Sequence, residues 1–179
     1  MPTLRTGLTA VAAALLASAA TVAAAQSSVS AAPPAPTPAR GIAKLPANVD
    51  LPPGVWTDTP LEVNLPRRGT YELDADVRGR LAGVPPINTY LSARLWNVTS
   101  GAEVPESARL VYQIIDENGG DAQAGGNQTA PISELITVAG PTTIRLQAQD
   151  NNARGTANIA QVYSDGAGYT SLRYSRVGP

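Results

Sequence analysis

Two carboxylates stand two residues apart at Asp74 and Asp76, in the run Thr70-Tyr-Glu-Leu-Asp-Ala-Asp-Val-Arg-Gly-Arg-Leu81. On an extended chain such neighbours lie side by side on one face. A polysaccharide-active enzyme using carboxylates alone could work with a pair of this kind. Arg78 and Arg80 continue the same face, and cross-strand ion pairing accounts for the group without any reaction. Two other clusters are rich in oxygen: Asp116, Glu117, Asn118 and Asp121, and then Asp150, Asn151 and Asn152. Ca2+ takes about six to eight oxygen ligands. No Asp-x-Asp-x-Asp-Gly run is present, so solvated turn chemistry is the simpler account, and both clusters stand as candidate binding loops.

Composition removes most other chemistry. The chain has 179 residues with no Cys and no His. Disulfides, thiol nucleophiles, Ser-His or Cys-His catalysis and imidazole- or thiolate-bound metals are excluded. Serines occur, but without a Gly-x-Ser-x-Gly turn. Thirteen basic residues against fourteen acidic ones give a net charge of −1. That balance offers no electrostatic footprint for nucleic acid or an anionic membrane. The expectation is a protein that is not an enzyme and carries no cofactor.

The elements that hold these residues read clearly. In the 70–81 run, Tyr71, Leu73, Ala75, Val77 and Leu81 fall on one face, and Glu72, Asp74, Asp76, Arg78 and Arg80 on the other. Alternation with period 2 predicts a strand with one buried and one wet face. Similar runs follow at 60–65, 88–98, 108–115, 134–139, 142–149, 156–163 and 169–177. Within them, Leu61, Val63, Leu65, Leu91, Ala93, Leu95, Leu110, Tyr112, Ile114, Ile144, Leu146 and Ala148 are the expected inward residues. Gly-, Asn- and Asp-rich stretches at 116–127, 150–155 and 164–168 separate them as turns. No helical periodicity appears after the first 25 residues. The spacing predicts an all-β sandwich or barrel.

The amino terminus reads as an export signal over 1–25. Arg5 supplies the positive start, Leu8 to Ala25 the apolar run, and Ala23 and Ala25 the small-x-small cleavage site. The expected mature chain begins at Gln26, is secreted, and has no membrane span. Residues 26–53, rich in Ala, Pro and Ser, are expected to be a disordered linker, leaving 54–179 as the folded domain.

Two strand faces are unusual. Tyr90, Arg94 and Trp96 share one; Arg109, Val111, Gln113 and Ile115 share another. Either they are the core of a second sheet, in a different register, or they form a subunit interface, where aromatic and Arg side chains are enriched. Tyr90, Arg94, Trp96, Arg109, Val111 and Gln113 are the interface candidates. Trp56 stands at the mouth of the domain, where it packs on the closing strand or stacks on a sugar.

The runs Gly69–Gly79, Ala93–Gly101 with Val104–Ser107, Gly140–Ala148 and Ser164–Val177 together resemble the C1q/TNF-like jelly roll in its bacterial and phage versions. The resemblance covers about residues 55–177. It implies an antiparallel two-sheet sandwich and a homotrimer with one sheet lining the threefold axis. It also keeps Ca2+ in view at Asp150, because some such domains bind it near that axis. This sequence lacks a Gly-X-Y stem and has no Phe. The implied function is a non-enzymatic binding or assembly module that meets an extracellular glycan, envelope polymer or protein through loop tips or intersubunit grooves. A structural envelope or spore-surface role is the alternative.

Overall fold

The computed structural model describes residues 39–120 and 122–179. The expectations for the leader (1–25), for the linker as far as residue 38, and for Asp121 lie outside the described residues. Within them run strands β1 (Arg40–Lys44), β2 (Val49–Asp50), β3 (Thr57–Leu65), β4 (Gly69–Gly83), β5 (Ile87–Asn97), β6 (Ala102–Glu103), β7 (Arg109–Asp116), β8 (Ala124–Val138), β9 (Thr142–Arg154), β10 (Ala157–Val162) and β11 (Ser171–Gly178). No helix among the described residues is long and apolar enough to cross a membrane.

The strands form two antiparallel sheets. In the larger, β1-β11-β4-β8 are neighbours in that order, and β10 and β2 extend it. In the smaller, the order is β3-β9-β5, with β7 and β6 both on β5. Taking β1, β3, β4, β5, β7, β8, β9 and β11 in chain order, the chain crosses between the sheets in the double Greek-key order of a jelly roll. The expected all-β two-sheet jelly-roll sandwich is the fold.

Strand β4 is the axis of the larger sheet. β8 pairs with it from Gly69 to Gly83, while β11 and β10 share its other edge in tandem. Its inward residues are those that the alternation selects: Tyr71, Leu73, Ala75, Val77 and Leu81 are all buried. Leu61, Val63 and Leu65 of β3, Leu91, Ala93 and Leu95 of β5, and Ile144, Leu146 and Ala148 of β9 face them from the smaller sheet. Burying each large aliphatic side chain contributes about 1.5–3 kcal/mol, which is what a chain without disulfides relies on. Tyr71 is the one fully buried aromatic. Its ring meets Tyr174 edge to face at 6.0 Å, and its hydroxyl donates to the Arg67 carbonyl at 2.9 Å.

Where pairing breaks, hydroxyls replace backbone partners. Thr59, at the irregularity in β3, donates to Leu146 O and accepts from Leu61 N. Ser107 bonds both the N–H and the carbonyl of Leu95, just past the end of the β5–β7 ladder. Thr170 accepts from Arg78 N at 3.0 Å, in the gap between β11 and β10. Each removes an orphaned buried backbone group.

Three expectations are corrected. The linker expected over 26–53 gives way to structure from Arg40 onward. β1 pairs with β11, Leu45 is fully buried, and Leu51 is buried beside Ala160, whose carbonyl accepts its N–H. Ala- and Pro-rich composition hid these residues because only two of them, Leu45 and Leu51, carry the burial. The loop expected over 116–127 ends earlier, since Ala124 to Asn127 already belong to β8. A Cβ at Gly125 would run into the Leu81 carbonyl, so glycine there serves close strand approach rather than a turn. The loop expected over 150–155 is strand as far as Arg154.

In β7 the register differs as well. The ladder steps from Leu91↔Tyr112 to Ser92↔Leu110, so Val111 is the extra residue of a bulge. The bulge turns Val111 into the core and Leu110 outward, which removes Val111 from the interface candidates and Leu110 from the core.

Candidate functional site

The outer face of the smaller sheet carries the densest organised set of functional side chains among the described residues. Arg94 and Trp96 are two apart on β5 and so share this face. Trp56 enters it from the chain just before β3. Strand β9 lies between β3 and β5 and supplies Arg145 and Gln147. β6 brings Glu103 opposite Trp96.

These side chains form one hydrogen-bonded relay across the sheet. Arg94 donates through Nη1 to Glu103 at 2.9 Å and through Nε to Gln147 Oε1 at 2.8 Å. Gln147 donates through Nε2 to Asp58 Oδ1 at 2.7 Å. Arg145 closes the line by pairing with both Asp58 and Glu62. The hydrogen bond that Arg145 donates to Glu62 leads the influences that raise its pKa above the ordinary arginine value. The Arg94 guanidinium carbon lies 4.0 Å from the ring centre of Trp56 and 4.9 Å from that of Trp96, within cation–π range of both. Gln147 is buried and both indoles are half-buried.

The β5–β7 half of this face is different. Asn88, Tyr90 and Ser92 face outward from β5, and Leu110, Gln113 and Ile115 from β7. Gln113 donates to Asn88 at 3.0 Å. No charged side chain stands among these six. Arg109 reaches across the sandwich edge to Glu134 of β8 at 2.7 Å. Of the interface candidates, Tyr90, Arg94, Trp96 and Gln113 thus share the outer face, Arg109 borders it, and Val111 is inside.

The candidate binding loops are brought together only in part. Asp116 closes β7 and caps the next turn by accepting from Asn118 N at 3.0 Å. Glu117 pairs with Arg154, tying the chain just after β7 to the end of β9. Asp150 is buried, with its carboxylate accepting from Thr89 at 3.0 Å and from Asn152 at 2.7 Å. Asn152 also accepts from Ala157 N at 3.0 Å, so this pair holds strand ends. Asn151 is half-buried beside Tyr90. Among the described residues no group of three or more acidic side chains is arranged to hold a metal.

On the larger sheet, the wet face of β4 is built from pairs. Ser133 donates to Asp74 at 2.6 Å and Arg173 pairs with Asp76 at 2.6 Å. Arg78 bonds Asp165 at 2.8 Å and lies against the Tyr163 ring. The Arg78 guanidinium, helped by the Tyr163 hydroxyl, holds the Asp165 carboxyl at about 2, below its ordinary 3.8. The same hydrogen bond raises the Tyr163 pKa. An open depression of about 720 Å³ lies beside these pairs, lined by Arg40, Ile42, Asp74, Arg173, Tyr174 and Ser175 among others.

Sequence reasoning reached Arg94 and Trp96 by their alternation. It missed Gln147, Glu103 and Asp58, whose roles come from strand pairing. It also missed that Trp56, forty positions from Trp96 in number, meets the same guanidinium.

No protein-family model matches the chain, and no curated protein matches it. Solved structures of infectious bursal disease virus are similar to it in part. The Gx strain aligns at 14% identity with a TM-score of 0.48. The virus's VP2 subviral particle aligns at 15% identity and 0.46. Each alignment covers 78% of this chain and 32% of the other, so the chain spans about a third of the length of the structures it matches.

Proposed function

We propose that this chain is a non-enzymatic, secreted binding and assembly module of C1q/TNF-like type that works as a homotrimer. One observation carries the reading. The two most exposed large hydrophobics among the described residues, Leu135 at 66% and Ile115 at 63%, lie on β8 and β7, the adjoining edge strands of the two sheets. Leu110 is exposed on the same edge, and the Arg109–Glu134 pair stitches it together. Unpaired strand edges carrying apolar side chains invite association. Aliphatic residues bordered by ion pairs match the anatomy of an interface, with an apolar centre and a polar rim.

A closed threefold ring needs two different surfaces on each protomer. The β7–β8 edge is one. The depression around Ile42 and Tyr174 on the larger sheet supplies the other, with Arg40 and Arg173 at its border. The grooves between subunits and the tips at 117–120 then face outward to meet an extracellular glycan, envelope polymer or protein.

The test is the mass of the exported protein in solution. The expected result is three protomers, each beginning at Gln26. Ile115→Ser combined with Leu135→Ser should reduce it to one protomer. A single protomer for the unaltered chain at micromolar concentration overturns the trimer, and an intact residue 1–25 segment overturns export by cleavage.

A further inference from the structure

The chain has two tryptophans, and both lie against the same guanidinium. An arginine needs one acceptor to be anchored, and Arg94 has two, with Gln147 and Glu103 fixing its plane. Gln147 is fixed in turn by Asp58. A guanidinium has five N–H donors. The two on Nη2 meet no acceptor among the described residues, while the side chain keeps 16% of its surface exposed. The result is a stiff patch with flat apolar indole surface, an edge of unused donors and the half-exposed carboxylate of Glu103.

The chemistry of that patch selects its ligand. Arg94 and Arg145 face three carboxylates, Glu103, Asp58 and Glu62, a net charge of −1, and each carboxylate is already paired with an arginine. A polyanion is disfavoured there, and a polycation meets no unpaired carboxylate. A purely apolar ligand would desolvate Nη2 and the Arg94–Glu103 pair without supplying new partners, which is unfavourable. A neutral pyranose ring has what is needed. Its C–H face stacks on indole, and its hydroxyls both donate to a carboxylate and accept from a guanidinium. Because the relay holds the side chains in place beforehand, little ordering entropy opposes binding.

We propose that Trp56, Arg94, Trp96 and Glu103 form a subsite for a neutral pyranose oligosaccharide. The proposal rests on the binding-module reading but not on the trimer, because the subsite lies within one protomer and uses no side chain of β7 or β8.

The position of the tryptophans makes the test direct, since all intrinsic indole emission reports on this site. The mature chain is titrated with cellohexaose, xylohexaose and the hexamer of N-acetylglucosamine, with hexagalacturonate as the charged comparison. A saturable emission change with at least one neutral hexasaccharide, and a weaker one with hexagalacturonate, supports the proposal. Calorimetry on variants follows with the sugar that responds. Arg94→Lys and Trp56→Ala, each checked for a native β spectrum, should weaken binding about tenfold or more. Ile115→Ser with Leu135→Ser should leave it unchanged, which separates failure of the subsite from failure of the trimer. The proposal is overturned by silence with all three neutral sugars at millimolar concentration, by a response to hexagalacturonate alone, or by affinity that neither variant alters.

Discussion

Gln147 accepts from Arg94 at 2.8 Å while its own amide nitrogen donates to Asp58, so one buried neutral side chain joins two charged groups on different strands. Arg94 belongs to β5 and Asp58 to β3, and no ladder connects those strands directly. The amide is therefore the polar counterpart of the aliphatic packing beneath it. Gln147→Ala removes the partner of Arg94 Nε and of Asp58 Oδ1, leaving Asp58 only its pair with Arg145, and should lower stability by about 1–3 kcal/mol. Urea unfolding followed by circular dichroism measures this. An unchanged midpoint with an unchanged slope would refute the role.

The hydroxyls that replace ladder partners give a second prediction. Thr170→Val keeps the shape of the side chain but strands the N–H of Arg78. Ser107→Ala does the same to Leu95. Each should cost about 1–3 kcal/mol. Ser133→Ala, on an exposed hydroxyl, should stay within about 0.5 kcal/mol. Comparing the three midpoints under one set of conditions decides the matter.

Acid tests the Arg78–Asp165 pair. The Asp165 carboxyl titrates lower in the folded chain, so folding favours its ionised form. That contribution is complete above the ordinary value of 3.8, and fades as pH falls toward about 2. Other carboxylates also titrate there, so the informative quantity is the difference between the protein and Asp165→Asn. The two stability curves should stand apart at pH 6 and converge near pH 2. A constant gap across that range would show that the pair is not the source.

The structure assigns β1 and Leu45 to the fold. Leu45 is fully buried, with its N–H bonded to Thr170 O at 2.8 Å and its carbonyl accepting from Ser164 at 2.7 Å. Leu45→Ala should therefore cost about 2–5 kcal/mol. Arg40→Ala should stay near neutrality, since its side chain is exposed. Equal melting temperatures for the two variants would return this segment to the status of a linker.

What could be read from the sequence follows from local period. β3, β4, β5 and β9 carry apolar residues at alternate positions, so the inward residues that the alternation names in them are all buried, although Asp150 of β9, expected in a loop, is buried too. β7 defeats the same reading because a bulge at Val111 moves one residue out of phase, and nothing local marks it. β8 is half hidden, since Gly125, Gly126 and Asn127 look like a turn until β4 is laid beside them. The site divides in the same way. Arg94 and Trp96 share a face by spacing alone. Trp56, Asp58, Glu103 and Gln147 join them only through the register of β9 and β6, which no short stretch of sequence encodes.

The tandem seating of β10 and β11 along β4 leaves the chain from Tyr163 to Thr170 as a short excursion between two strands. Its roots are fastened to a single residue. Arg78 accepts from Tyr163 N at 2.7 Å, donates to the Thr170 hydroxyl, and grips Asp165 and the Gly168 carbonyl with its guanidinium. The tip at Gly166 and Ala167 is exposed and takes no part in these bonds beyond Ala167 N. Extra residues spliced in at that tip would leave both flanking strands seated. The sandwich thus contains a natural place to graft a foreign peptide for display.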